Sequence, residues 1–175
     1  MDVDIADFDL RARLDEAKAL AREAMAHARQ PGGILVAQYL DEVTELPGLM
    51  ALGAFRQDEL VGALLGWPTA SRAWWPHHVH PALAATENEH WLREAFELAE
   101  LHVHPDLQGA GVGTELLAEA ERRLDLPRIV LSTNALNNQR AREFYRRRGF
   151  RVLTGPFRWL GLPHRVLVLG RQLPG

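Results

Sequence analysis

Two glutamates and three alternating glycines fall within the segment 96–113, FELAELHVHPDLQGAGVG. Glu97 and Glu100 lie in a strand-like run that ends at Val103, and the polar turn His104-Pro105-Asp106-Leu107 follows. Gln108-Gly109-Ala110-Gly111-Val112-Gly113 then opens a helix. Glycines at alternate positions before a helix let successive backbone N–H groups point at one spot. There, with the positive end of the helix dipole, they can hold a phosphate. The segment therefore joins an anion cradle to a strand bearing candidate acid–base groups. Two familiar phosphate loops are excluded by spacing. A Walker loop needs Lys and Ser/Thr after its last glycine, but Gly113 is followed by Thr114-Glu115. The dinucleotide fingerprint would need glycine at 114 or 116, where Thr114 and Leu116 stand.

A second motif follows at 137–150, NNQRAREFYRRRGF. Asn137 or Asn138 is a natural N-cap, Ala141, Phe144 and Tyr145 recur at helical spacing, and Gly149 is placed to end the helix in a left-handed turn. Together the two segments resemble the GNAT superfamily of N-acetyltransferases. The family pattern Val-x-x-x-x-Gln/Arg-x-x-Gly-x-Gly/Ala is met by Val103, Gln108, Gly111 and Gly113. The pattern Asn-x-x-Ala-x-x-x-Tyr with a later Gly-Phe is met by Asn138, Ala141, Tyr145, Gly149 and Phe150. The match covers roughly residues 95–153; the N-terminal half fits in layout only.

The resemblance implies an α/β (α+β) fold: one domain over 1–175, with a mixed, mostly antiparallel central sheet whose fourth and fifth strands splay, and flanking helices. It also implies acetyl-CoA as acyl donor. Gln108, Gly109, Ala110, Gly111, Val112, Gly113 and Thr114 would supply pyrophosphate N–H groups, and the backbone of Leu101 and Val103 would pair with the pantetheine amides. Asn138 would orient that arm or the tyrosine. One or two arginines of the basic run Arg140, Arg142, Arg146, Arg147, Arg148 and Arg151 would reach the 3′-phosphate, the others forming a solvated helix face.

Acyl transfer to an amine makes two proton demands. An alkylammonium near pKa 10 must lose a proton before attack, and a departing thiolate leaves more easily if one arrives. Tyr145 falls on the family's tyrosine and is the expected acid. For the base, Glu97 and Glu100 compete. Glu97 stands six residues before the motif valine, where several family members carry theirs, and is preferred slightly. Alternation puts Glu97 on one strand face with Ala99, Leu101 and Val103, and Glu100 on the other with Leu98 and His102.

The tract Trp74-Trp75-Pro76-His77-His78-Val79-His80 looks like a metal site, but the chain has no cysteine and no His-x-x-x-His helical pair, so no metal is expected. Trp67, Trp74, Trp75 and His78 are expected to line an acceptor pocket instead. Asp41, Glu42 and Glu45 read first as a solvated polar face and second as an attraction for a cationic amine. Expected partners are a small-molecule or peptide amine, with a homodimer left open. A net charge of −3 argues against general nucleic-acid binding. A catalytically silent acyl-CoA sensor is the alternative reading.

The elements that must position these residues follow from pattern. At 175 residues, 47% hydrophobic and 25% charged, the composition is ordinarily globular. The acidic start lacks an apolar signal region, and no apolar stretch approaches the roughly 18 residues of a membrane span, so a cytoplasmic protein is expected. A strand is expected at 2–8, helices at 10–29 and 34–46 with a break at 31–33, and a hairpin from 49–55 and 60–67. An irregular stretch at 68–90, a strand at 96–103, a helix at 112–124 and a buried strand at 128–133 come next. A helix at 138–148 and strands at 150–153 and 164–170 complete the chain.

Overall fold

The computed structural model describes residues 3–30, 33–159 and 164–175, and side chains in all of these except 33–37. Pro31-Gly32 of the expected break lies outside the described residues. The chain divides into two compact units. The first comprises 1–66 and 99–124, the second 67–98 and 125–175.

In the first unit, β1 (Asp4–Asp7), β2 (Met50–Arg56) and β3 (Glu59–Pro68, whose last two residues belong to the second unit) pair antiparallel in that order. Helices α1 (Leu14–His27) and α2 (Gly33–Val43) pack together and are clasped by Lys18–Asp41. A further ion pair joins Arg11 to Glu45 beyond the end of α2. These pairs engage two of the three acidic residues read as a polar face. On β3, Gly62 lies beside the helix that follows the glycine loop. A Cβ there would lie 3.0 Å from Val112 and 3.2 Å from Leu116, so glycine lets the helix settle close against β3.

In the second unit the order is β4–β5–β8–β6, with β7 also on β8. Here β4 is Ala95–Val103, whose residues from Ala99 onward belong to the first unit, β5 Arg128–Asn134, β6 Arg151–Val152, β7 Phe157–Arg158 and β8 Arg165–Gln172. The β4–β5 pair is parallel and has three rungs, from Ala95–Arg128 to Glu97–Val130, although both strands continue further. The other pairs of this unit are antiparallel. The expected mixed, mostly antiparallel sheet with flanking helices is therefore present.

One expectation fails. The stretch 68–90 is not irregular: α3 runs Trp74–Ala84 between short 3-10 turns at Thr69–Ser71 and Glu89–Leu92. Pro76 stands in the first turn, where the missing N–H has no intrahelical partner to lose. Pro81 lies inside the helix, but Trp75, Val79 and Leu83 at four-residue spacing bury one face in the core with Trp91, Val130, Leu153 and Val168. Burial of that stripe outweighs the lost backbone bond. The two-residue strand β7 was also not foreseen.

Candidate active site

The glycine loop leads into α4 (Val112–Arg123). Gly109 and Gly111 have φ of +87° and +99°, the left-handed region that glycine enters without strain, and Gly111 caps the helix. Three N–H groups expected to bind phosphate are already engaged. Gln108 donates to the Pro105 carbonyl, Ala110 to Leu107 and Thr114 to Gly111. Among the described residues, the N–H groups of Gly109, Gly111, Val112 and Gly113 meet no backbone acceptor, so these four carry the cradle's capacity. A Cβ built on Gly111 meets no atom within 4 Å, so a side chain there would project into the space above the helix start. The Gln108 side chain turns back, its Nε2 donating to the Val103 carbonyl at 3.1 Å, which ties the loop to the end of β4.

Glu100 stands on the part of β4 that belongs to the same unit. Its Oε1 accepts the phenol O–H of Tyr39 from α2, and its Oε2 lies 2.5 Å from His102 Nε2. The carboxylate is therefore held from both sides while remaining partly open to solvent. Tyr39 was not singled out in the sequence, where nothing but its place on the apolar side of α2 sets it apart.

Glu97 belongs to the second unit and has a different setting. It is 4% exposed, and its Oε2 accepts the indole N–H of Trp67 at 3.0 Å. Trp67 itself is fully buried. Trp75 is buried too, donating to Ser132 Oγ at 3.1 Å. Trp74, at 48% exposed, stacks on His78 with ring centroids 4.4 Å apart and meets Trp159 edge-on. Of the four side chains expected to face an acceptor, Trp74 is exposed, His78 is half-buried, and Trp67 and Trp75 are packed inside.

The second motif builds a rigid seat for Tyr145. Asn134 Oδ1 accepts from the N–H groups of Leu136 and Asn137, turning the chain out of β5. Asn138 caps α5 (Gln139–Arg147) through Ala141 N–H and donates to Thr133 Oγ1. At the other end Gly149 takes φ +79°, Gly149 N–H bonds Arg146 and Phe150 N–H reaches back to Tyr145 O, a Schellman closure. That closure lays Phe150 against Tyr145, ring centroids 5.2 Å apart, with Phe144 on the tyrosine at 5.1 Å. Tyr145 is thus confined and 9% exposed. Much of the basic run serves the helix itself. Arg146 and Arg147 pair with Glu143, and Arg148 donates to the Phe144 carbonyl.

Among the described residues no helix is long and apolar enough to cross a membrane. Residues 52–152, more than half of the chain, match the family model described as "Acetyltransferase (GNAT) domain". A GCN5-like protein acetyltransferase of Mycobacterium tuberculosis is 26% identical over 203 residues, covering 98% of this chain and 97% of that protein. Solved structures share the fold. One, described as a GNAT-family acetyltransferase from Desulfovibrio desulfuricans, superposes with a TM-score of 0.71 at 16% identity over 99% of this chain and all of the other. Another is the PaiA N-acetyltransferase of Thermoplasma acidophilum in complex with coenzyme A, with a TM-score of 0.65 at 16% identity, covering 98% of this chain and 99% of that one.

Proposed function

The chain belongs to the GNAT acetyltransferase family, and we propose that it transfers the acetyl group of acetyl-CoA directly to a primary amine of a small molecule or peptide. The observation that carries the donor assignment is the loop at the start of α4, where four N–H groups at a helix N-terminus remain for a pyrophosphate. Coenzyme A bound to a relative of the same fold supports it. Leu101 and Val103 would supply backbone groups for the pantetheine amides.

In this reading Glu100 is the base rather than the slightly preferred Glu97. A base must be reachable by the ammonium whose proton it takes, and Glu97 is enclosed with an indole N–H on one oxygen. Glu100 takes one proton from the acceptor ammonium, and the free amine attacks the thioester carbonyl. As the C–S bond breaks, Tyr145 gives its phenol proton to the departing thiolate, and the second proton shed by the new amide nitrogen returns to the tyrosinate through water. Asn138, engaged as the helix cap, sets the first turn of α5 and through it the tyrosine. Trp74 and His78 offer the acceptor an aromatic surface, while Trp67 and Trp75 support from within.

The test pairs binding with turnover. Acetyl-CoA at about 100 times its Kd should add about 2.7 kcal/mol to unfolding. Gly111→Asn keeps a residue type that tolerates the left-handed backbone but adds a side chain over the cradle, so it should remove that increment. An unchanged increment takes the cradle out of the mechanism. Thiol release across a panel of amines then separates enzyme from sensor: binding with no release on any amine overturns catalysis and leaves a silent acyl-CoA sensor.

A further inference from the structure

Both oxygens of Glu100 are engaged by side chains that the transfer chemistry has not yet used, and the two contacts differ in kind. Tyr39 meets Oε1 and His102 Nε2 meets Oε2. A phenol keeps its proton at neutral pH, so toward a carboxylate it can only donate. An imidazole nitrogen donates or accepts according to its tautomer. Oε1 is thereby committed to the phenol, and a proton arriving at the carboxylate settles on Oε2, beside the imidazole nitrogen. The His102 side chain keeps 14% of its surface open and that of Glu100 11%, so the pair is sheltered yet not sealed from water.

We propose that Tyr39, Glu100 and His102 form a proton relay in which Tyr39 is a positioning residue and His102 the outlet. The inference rests on Glu100 being the base. The acceptor ammonium gives one proton to Oε2, making the neutral acid. At rest the His102 Nε2–H donates to Oε2; once the ring hydrogen has exchanged to Nδ1 through water, Nε2 takes the carboxyl proton, the ring becomes imidazolium and Glu100 returns to carboxylate. The imidazolium then releases one proton to water. Throughout, the Tyr39 O–H stays on Oε1, preventing the carboxyl from rotating its acidic oxygen away from the ring. A tie that merely joined helix to strand would need neither a choice between the oxygens nor a titratable ring on the second one.

The test uses two acceptor probes at pH 7 under saturating acetyl-CoA: a tripeptide with a free α-amine, and Nα-acetyl-lysine methylamide. Their amines have pKa values of about 8 and about 10.4, so the lysine probe depends far more on proton removal. His102→Gln should lower kcat about tenfold more on the lysine probe than on the tripeptide, in line with the amines' difference in basicity. Tyr39→Phe should give the same pattern more weakly, and KM for acetyl-CoA should hold in both variants. Equal losses on the two probes, or none, overturn the relay. Nitrogen-15 spectra of the His102 ring provide a readout without turnover: Tyr39→Phe must shift the ring signals through Glu100, and unchanged signals also overturn it. If the wild-type protein releases thiol from neither probe, acetyl transfer to amines of these types fails, and the ring signals alone decide whether the relay stands.

Discussion

Strand β4 carries two glutamates three residues apart, and its two halves treat them in opposite ways. From Ala95 to Leu98 every residue is buried, so both faces of the strand are covered. From Ala99 to Val103 every residue is intermediate, so neither face is closed. Glu97 falls in the first half and meets an indole N–H; Glu100 falls in the second and meets a phenol and an imidazole. Alternation of side chains puts the two on opposite faces, yet it is position along the strand that decides their surroundings. A buried carboxylate in an apolar setting is costly unless hydrogen-bonded, so its partners hold it in place. A carboxylate with part of its surface open to water, beside an imidazole, is placed within reach of a substrate amine.

The largest effects should come from the half-open side. Glu100→Gln keeps size and removes the proton acceptor, so kcat should fall by roughly 10²–10⁴, the range for a lost general base, with the unfolding midpoint little changed. The same substitution at Glu97 should leave kcat near wild type. Steady-state rates on one acceptor compare the two directly, and a reversed order would return the base to Glu97. Tyr145→Phe should match the Glu100 loss, also roughly 10²–10⁴, while acetyl-CoA affinity stays intact, because the edge contacts with Phe144 and Phe150 survive loss of the hydroxyl. If turnover is unchanged, water protonates the thiolate and the ring is there to pack.

The buried side should answer in stability. Trp67→Phe withdraws the indole donor from the buried Glu97 carboxyl, a loss of about 1–3 kcal/mol. Urea unfolding of Trp67→Phe should show this shift in midpoint, and Tyr39→Phe, at the half-open glutamate, a smaller one. Equal shifts would mean that both glutamates are structural.

How legible these features were depended on how local their causes are. The cradle and the Tyr145 helix rest on short-range rules. Glycine permits positive φ at 109, 111 and 149, and asparagine caps at 138; each was readable in place. The N–H groups spent inside the loop were not, because they depend on how the turn at Pro105–Leu107 closes. Helix α3 was hidden by two prolines and a histidine run, although the stripe Trp75, Val79, Leu83 was there to be counted. Tyr39 and Trp67 act through partners 61 and 30 residues away, a relation that no local spacing encodes. The same reason left the choice between Glu97 and Glu100 open: sequence gave their faces but not what covers them.

A third carboxylate marks the outer limit of the contrast and should give the smallest effect. Glu143 lies on the solvent side of α5 with 39% of its side chain open, and hydrogen bonds from Arg146 and then Arg147 hold its carboxyl down at about 2. The folded value lies below the ordinary glutamate value of about 4.3. Its stabilising contribution is therefore complete above that value and fades as pH falls toward about 2, where the folded state also takes up the proton. Water and salt screen such a surface pair, so the contribution is small at any pH and smaller still in 1 M salt. Glu143→Gln should lower the unfolding midpoint slightly at pH 7, and the gap from wild type should close between about pH 4 and about pH 2. A gap that persists at pH 2 would assign Glu143 a packing role instead. A gap as wide as that of Trp67→Phe would show that solvent exposure does not order these carboxylates, and the contrast along β4 would lose its physical basis.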